Sequence, residues 1–257
     1  MFQGIDHLVV VVADLQHAAD DYRSLGFTVV PGGQHPVGSH NVLIAFADGS
    51  YLEIIAFYRE AIEHRWWDPL QKGERLVDYC MQTDDLQGDT KKLRDAGVAI
   101  NDPVPWSRTR PDGFEVKWVL SLAIGSHRGV APFLIQDLTP RHERIPQQFH
   151  HANGVTGIDK VTIAVSDLAP IERWYSAVLG SKGESIHRPE LDAEGLRYSV
   201  GRHAMEFLKP STASSPLVNW MREHGPSPYA TTLRSAEIRQ FDAALLHGAR
   251  IELSAAT

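Results

Sequence analysis

The chain has 257 residues, of which 43% are hydrophobic and 22% are charged, and its net charge is −7. This length suits one large domain or two ordinary ones, and the acidic balance argues against a general binder of nucleic acid or anionic membranes. No apolar run approaches the roughly 18 residues of a membrane helix, and a single cysteine, Cys80, with no basic leader before the first strand, predicts a cytoplasmic protein.

An internal repeat dominates the sequence. Gly-Ile-Asp-His at residues 4–7 opens an apolar, strand-like run, and Gly-Ile-Asp-Lys at residues 157–160 opens a second one. A later strand of each copy carries one carboxylate at the same distance from the tetrapeptide, Glu53 in the first copy and Glu206 in the second. Such self-similarity at a fixed period indicates that the fold is built from repeated units.

Four helices are predicted along the chain, each preceded by a strand-like stretch. Each begins at a residue whose side chain can cap a helix N-terminus, carries apolar residues on one face, and stops at a glycine. The first residues are Asp14, Asp85, Asp167 and Ser235, and the glycines are Gly26, Gly97, Gly180 and Gly248. Short strand-like runs follow the first three helices, so the unit is β-α-β-β-β, while the fourth unit has room only for β-α-β.

The units group into two halves. Residues 1–140 contain units one and two, which we expect to form the active cup. Residues 141–156, with Pro146, several charges and a glycine, are predicted to be a linker. Residues 157–257 contain unit three and the shortened unit four. Residues 58–75 are predicted to form a helical connection between the first two units.

Tandem β-α-β-β-β units that open on Gly-Ile-Asp-His resemble the glyoxalase-like domain proteins of the vicinal oxygen chelate superfamily, which also contains glyoxalase I, bleomycin-resistance proteins and extradiol dioxygenases. The resemblance covers nearly the whole chain and implies an α+β fold in which curved mixed β-sheets form a cup. The phrases that carry it are Gly-Ile-Asp-His-Leu-Val at 4–9, Leu-Gly-Phe-Thr-Val at 25–29, Pro-Gly-Gly at 31–33, His-Asn-Val-Leu-Ile at 40–44, Gly-Ser-Tyr-Leu-Glu at 49–53 and His-Ala-Asn-Gly-Val at 151–155.

In this superfamily the first and last strands of each unit offer one metal ligand apiece. The resemblance therefore implies a divalent ion, Fe, Mn, Ni or Zn, with Glu53 also serving as the catalytic base. The implied ligands are His7, Glu53, Asp78 and Gln136. An Asp at 78 and a Gln at 136 depart from the usual His or Gln and Glu. The alternative is that His7 and Glu53 are hydrogen-bonded side chains in a pocket without metal.

The second half departs further from the pattern, because Lys160 stands where the histidine is expected. A charged lysine cannot donate a lone pair to a metal. We expect an internal ion pair between Lys160 and Glu206 to fill the space of the metal, and we interpret this half as a degenerate, structural copy.

Three further residues are candidates for contact with a substrate. Asn41 opens a strand beside the presumed cup and either contacts a ligand or caps a turn. Arg110 lies in a hairpin rich in arginine and aromatic residues, where it either clamps an anionic group or is solvated. Trp118 follows in the same hairpin.

The favoured function is a divalent-metal-dependent enzyme, of lyase, isomerase or dioxygenase type, that acts on a small oxygen-rich molecule. A metal-free protein that binds a small molecule, as resistance proteins of the superfamily do, is the alternative. A purely structural homologue is the third possibility, and the resemblance also makes a homodimer a candidate assembly.

Overall fold

The structure is a computed structural model in which residues 1–255 are described. The elements follow the order of three β-α-β-β-β units and a shortened fourth. The strands are β1 (Phe2–Val11), β2 (Val30–Gln34), β3 (Ser39–Ala45), β4 (Tyr51–Phe57), β5 (Arg75–Thr83), β6 (Val104–Thr109), β7 (Glu115–Ser121), β8 (Phe133–Asp137), β9 (Val155–Ala164), β10 (Glu184–Arg188), β11 (Ala193–Val200), β12 (His203–Pro210), β13 (Ser227–Ser235) and β14 (Ile251–Ala255). The helices are α1 (Leu15–Ser24), α2 (Trp67–Gln71), α3 (Leu86–Asp95), α4 (Arg141–Arg144), α5 (Ala169–Leu179) and α6 (Pro216–His224).

The first eight strands close into a barrel in the order β1-β4-β3-β2-β6-β7-β8-β5. Within it β1 pairs in parallel with β4 and antiparallel with β5, and the β2–β6 seam rests on the single pair Gln34 and Thr109. The remaining strands form one sheet in the order β10-β11-β12-β9-β13-β14. The predicted α+β fold of tandem units in curved mixed sheets, with a truncated last unit, is confirmed.

The alternation of side chains along β1 decides what faces the barrel interior. Successive residues of a strand point to opposite faces. Leu8 and Val10 pack in the core beneath the helices, whereas Val9 and Val11 pack with the residues inside the barrel. His7 has the same parity as the second pair, so the strand directs it into the barrel.

The predicted caps explain the helix starts. The Asp14 side chain accepts hydrogen bonds from the backbone at the start of α1, and Asp85 does the same for α3. At α5 the cap residue is Leu168, with Asp167 accepting from the Ala169 amide at 3.0 Å. This helix ends at Gly180, whose φ of 70° is a left-handed conformation that glycine adopts without a Cβ penalty.

The prediction of a fourth helix from Ser235 is wrong. Its hydroxyl accepts a hydrogen bond from the Glu237 amide, but only a short 3₁₀ helix, Ala243–Leu246, follows. Phe241 and Leu246 are buried nonetheless, and Phe241 packs on Phe27 of the first unit. Packing against the first unit therefore overrides the local helical pattern.

The connection between units one and two is also less helical than predicted, because residues 58–66 form a loop and only α2 is an α-helix. A corresponding helix, α6, connects units three and four and was not anticipated. None of the helices within residues 1–255 has the length and apolar character to cross a membrane.

One hydrophobic core extends through both halves of the chain. At its centre the hydroxyl groups of Tyr79 and Tyr175 lie 2.6 Å apart. The segment predicted as a linker, 141–156, contains α4, which carries Arg144 back against the first half. The barrel therefore packs against the second half through the shared core, and α4 contacts it through Arg144.

Candidate functional site

The barrel encloses a cavity of about 540 Å³, a size typical of small-molecule sites. Its floor carries polar side chains from β1, β3 and β4, and the loop 58–66 borders its mouth. The apolar part of its wall includes Ile55, Trp106, Trp118, Leu120, Phe133 and Ile135.

A histidine and a glutamate meet on the floor of this cavity. His7 Nε2 lies 3.4 Å from Glu53 Oε2, and His7 Nδ1 lies 2.7 Å from Asp6 Oδ1. Glu53 Oε1 accepts a hydrogen bond from Asn41 Nδ2 at 2.5 Å. The His7 ring stacks on Tyr51 with centroids 4.5 Å apart. Both nitrogens of His7 are therefore held by carboxylates, and the ring has little freedom to turn.

The opposite charges of His7 and Glu53 stabilise each other. Burial opposes the charged form of both groups, but the carboxylates of Asp6 and Glu53 raise the pKa of His7 above its ordinary value. For Glu53, burial is outweighed by the hydrogen bond and charge of His7, and the pKa falls to about 2. Without a metal, the pair is stabilised as imidazolium and carboxylate.

Two arginines bind the carboxylate of Asp6. Arg144 donates from Nη1 and Nη2 to the two Asp6 oxygens at 2.8 and 2.9 Å, and Arg141 also contacts the carboxylate. Burial would raise the pKa of Asp6, but these guanidinium groups hold it well below its usual range. Asp6 thus stays ionised, and it fixes the orientation of His7.

Two further histidines, His35 and His64, line the cavity. Burial lowers the pKa of each to about 4, so both imidazoles are neutral near pH 7. Sequence reasoning missed both, because they lie outside the repeated strand positions. Only the folding of the loop 58–66 across the mouth brings His64 to the cavity.

The donor set on the floor fits a divalent ion through one imidazole and one carboxylate. Among residues 1–255, the group of three residues whose ligand-capable atoms all lie within 4.8 Å of one another consists of Asp6, His7 and Cys80. Asp6 is already engaged by Arg144, and burial keeps the pKa of the Cys80 thiol well above its usual value, so it is no thiolate. His7 and Glu53 remain as donors, with Asp6 as the carboxylate behind a ligating histidine that many metal sites use.

The other two implied ligands lie elsewhere. Asp78 Oδ2 accepts from Arg65 Nη2 at 2.6 Å and from Trp66 Nε1 at 2.9 Å. Gln136 Oε1 accepts from the Leu86 amide at the start of α3. Neither side chain is among those that line the cavity.

Strand pairing explains the displacement of Gln136. Glu53 pairs with Val9 in β1, and the corresponding pair in the second unit is Phe133 with Cys80. An apolar ring therefore occupies the position that matches Glu53. The repeat alignment placed Gln136 there, which the strand register corrects.

Of the predicted substrate contacts, Asn41 and Trp118 line the cavity. Arg110 does not. It pairs instead with Asp112 and Glu143 on the outside of the hairpin. Arg108, two residues earlier, is the arginine of β6 that lines the cavity. Strand alternation could have identified Arg108 from the sequence, because Trp106 and Arg108 are two residues apart and lie on the same face of β6.

The second half confirms the predicted ion pair between Lys160 and Glu206, with Nζ and Oε2 3.2 Å apart. Arg188 and Arg197 also contact this buried carboxylate. Three cations therefore surround Glu206, where the matching Glu53 has one imidazole and one amide.

Comparison with known proteins agrees with this architecture. The sequence pattern of a family described as glyoxalase-like domain matches residues 5–179, which is more than half of the chain. The chain therefore belongs to the glyoxalase-like domain family, which confirms the predicted resemblance to glyoxalase-like domain proteins.

Several solved structures share the fold. A hypothetical protein from Staphylococcus aureus aligns with a TM-score of 0.71 at 14% identity, over 98% of this chain and 99% of that one. A mutant of 4-hydroxymandelate synthase from Streptomyces coelicolor aligns with a TM-score of 0.62 at 16% identity, over 92% of this chain and 72% of that one. No curated protein matches the sequence. Identities this low establish a common fold and leave the reaction to be argued from the site.

Proposed function

We propose that the protein is an enzyme that acts on a small oxygen-rich molecule in the barrel cavity, with a divalent metal ion held by His7 and Glu53. The observation that carries the proposal is the pair itself. An imidazole nitrogen and a carboxylate oxygen face each other at 3.4 Å on a cavity floor, and Asp6 supports the far side of the imidazole.

When bound, a divalent ion supplies Lewis-acid stabilisation of negative charge on a substrate oxygen. The side chains of the protein position the ligands of the ion and shape the site around it. Asp6 orients the His7 ring, and Asn41 holds one oxygen of Glu53. The aromatic and aliphatic wall lowers the polarity around the floor, which strengthens the charge interactions there.

The pKa of Glu53 favours its role as a ligand. A carboxyl group whose pKa is lowered to about 2 is ionised at neutral pH but is a weak base. The role of catalytic base for Glu53 stays a prediction, and the neutral imidazoles of His35 and His64 are better matched to proton transfer.

The test is metal binding by protein stripped with EDTA. We expect about one equivalent of Mn²⁺ or Zn²⁺ to bind, measured by isothermal titration and by elemental analysis of the untagged protein. Loss of an outer-shell partner typically lowers metal affinity about 10–100-fold, so His7→Gln and Glu53→Gln should each lower it by at least about 100-fold.

His40→Gln and Glu184→Gln are matched controls, because neither residue lines the cavity. Absence of binding at millimolar metal, or equal losses in the controls, contradicts the proposal.

A metal-free binding protein is the second candidate, and one observation favours it. In the second unit the positions that match His7 and Glu53 hold Asp78, engaged by Arg65 and Trp66, and the apolar Phe133. Half of the usual donor set is therefore missing. This candidate predicts that small ligands raise the melting temperature of EDTA-treated protein while no substrate is turned over.

A further inference from the structure

We propose that Arg108 is an anion-binding residue that gives the cavity its preference for one ligand class, monocarboxylic acids with an aromatic or branched apolar body. The inference deepens the proposed function, because it places the ligand in the same cavity, but it does not require that a metal is bound.

Arg108 is a buried cation without an anionic partner. Its side chain is 3% exposed, and Nη2 donates to the Arg144 carbonyl oxygen at 2.9 Å. Among residues 1–255, no carboxylate forms an ion pair with it within 4.0 Å. An unpaired buried charge is strongly unfavourable in a folded protein. A position that keeps one beside a cavity is suited to a partner supplied by the ligand.

The other buried arginines of the cavity lack this property. Arg65 pairs with Asp78 at 2.6 Å, and Arg144 pairs with Asp6 at 2.8 Å. Each of these cations is neutralised within the protein. Arg128 also lines the cavity but is exposed to solvent, so one buried positive charge is left for the ligand, which favours a monoanion such as a carboxylate over a dianionic phosphate ester.

Unpartnered polar atoms point to the same chemistry. Buried polar groups in proteins are normally hydrogen-bonded. Four of the cavity-lining residues nonetheless carry a buried side-chain atom that has no partner within the described part of the chain. These atoms are Arg108 Nε, Arg65 Nε, Trp106 Nε1 and Asn41 Oδ1. Three of these four unpartnered atoms are donors, and they favour a ligand that carries acceptor oxygens.

The side chains of the cavity wall next to Arg108 indicate the chemistry of the rest of the ligand. Strand alternation puts Trp106 on the same face of β6 as Arg108, and Trp106 pairs across the strands with Trp118 of β7. Leu120 and Phe133 continue this apolar surface. A carboxylate head at Arg108 therefore leaves the body of the ligand against aromatic and aliphatic side chains.

The experiment compares three carboxylates with neutral and dianionic analogues. Phenylacetate, 3-phenylpropionate and 4-methylvalerate are titrated beside phenylacetamide and phenyl phosphate, with EDTA and again with Mn²⁺. Isothermal titration and intrinsic tryptophan fluorescence, to which Trp106 and Trp118 of the cavity contribute, give the dissociation constants. We expect at least one carboxylate to bind the wild-type protein about tenfold or more tightly than the amide or the phosphate, because a charge-assisted pair with arginine replaces a neutral contact.

Arg108→Met separates a ligand-binding role from a structural one. It should lower carboxylate affinity about 10–100-fold and leave amide affinity within about twofold. Its melting temperature without ligand should be equal to or above that of wild type, because an unpaired buried cation is replaced by an apolar chain of similar length. Arg108→Lys keeps the charge but loses the planar fork, and we expect it to be intermediate.

Arg110→Gln is the matched control, since Arg110 lies in the same hairpin but pairs with Asp112 and Glu143 outside the cavity. The inference is overturned if no carboxylate binds at about 10 mM, if Arg108→Met binds as wild type does, if Arg110→Gln shows the same loss, or if phenyl phosphate binds more tightly. A carboxylate that binds in EDTA to Glu53→Gln would uphold Arg108 even if metal dependence fails.

Discussion

Arg144→Met tests whether the buried cluster behind His7 holds the site together. Arg144 is 2% exposed and donates to both oxygens of Asp6, to Asp137 and to the Tyr51 hydroxyl. Removing it leaves Asp6, which is fully buried, with Arg141 and His7 as its remaining partners.

The size of the loss follows from this geometry. Breaking a buried ion pair by removing one partner costs about 3–5 kcal/mol. Arg141 still contacts Asp6, so we expect the lower end, about 3 kcal/mol. For a chain of this length that corresponds to a fall in melting temperature of roughly 6–12 °C. Urea unfolding at pH 7 should show a lower midpoint with an unchanged slope.

The pH dependence gives an independent check. The folded-state pKa of Asp6 lies well below 3.8, so its contribution is present above that value and is lost as the pH falls through the folded pKa. The difference between wild type and Arg144→Met should therefore shrink in acid. Arg141→Met is the control, because Arg141 is 28% exposed and should cost about 1 kcal/mol. A loss below 1 kcal/mol for Arg144→Met, or equal losses for both variants, refutes the reasoning.

Three other substitutions have defined outcomes. His35 has a folded pKa of about 4 against 6.5, so its titration should contribute about 2–3 kcal/mol to the stability that the wild type loses between pH 7 and 4.5, and His35→Asn should lose that much less by urea midpoints. Lys160→His should not create a second metal site, because two arginines still bind Glu206; titration to two equivalents would contradict this. A methyl on Gly32 would lie 2.1 Å from Asn41 Oδ1, so Gly32→Ala should cost about 1–3 kcal/mol and displace the amide from Glu53, with unchanged unfolding and ligand affinity as the contrary result.

Glu53 and Glu206 occupy matching positions in two units but have different surroundings. Glu53 contacts one imidazole and one amide and is left facing a cavity. Glu206 contacts a lysine and two arginines, which complete its hydrogen bonds from within the protein. A carboxylate already neutralised by three cations has little affinity for a metal ion. The exchange of His for Lys at residue 160 was visible in the sequence, whereas the two arginines were not.

Local patterns in the sequence were sufficient for the repeat, the succession of elements along the first three units and their first helices. They depend on nearest-neighbour effects, such as strand alternation and the capping of α1 by Asp14. The same patterns failed at Ser235, where burial of Phe241 against Phe27 outweighed a weak helical preference.

The candidate site likewise combines features that the sequence indicates with features that depend on the tertiary structure. The resemblance of the sequence to the family implied that His7 and Glu53 share one site, and side-chain alternation along β1 agrees with this for His7. Only the tertiary structure decided that Asp78 is engaged by its own loop and that Arg108 is a buried arginine that lines the cavity without an anionic partner. Those outcomes depend on contacts between residues distant in the chain, and the balance of burial and charge that settles them does not exist until the chain has folded.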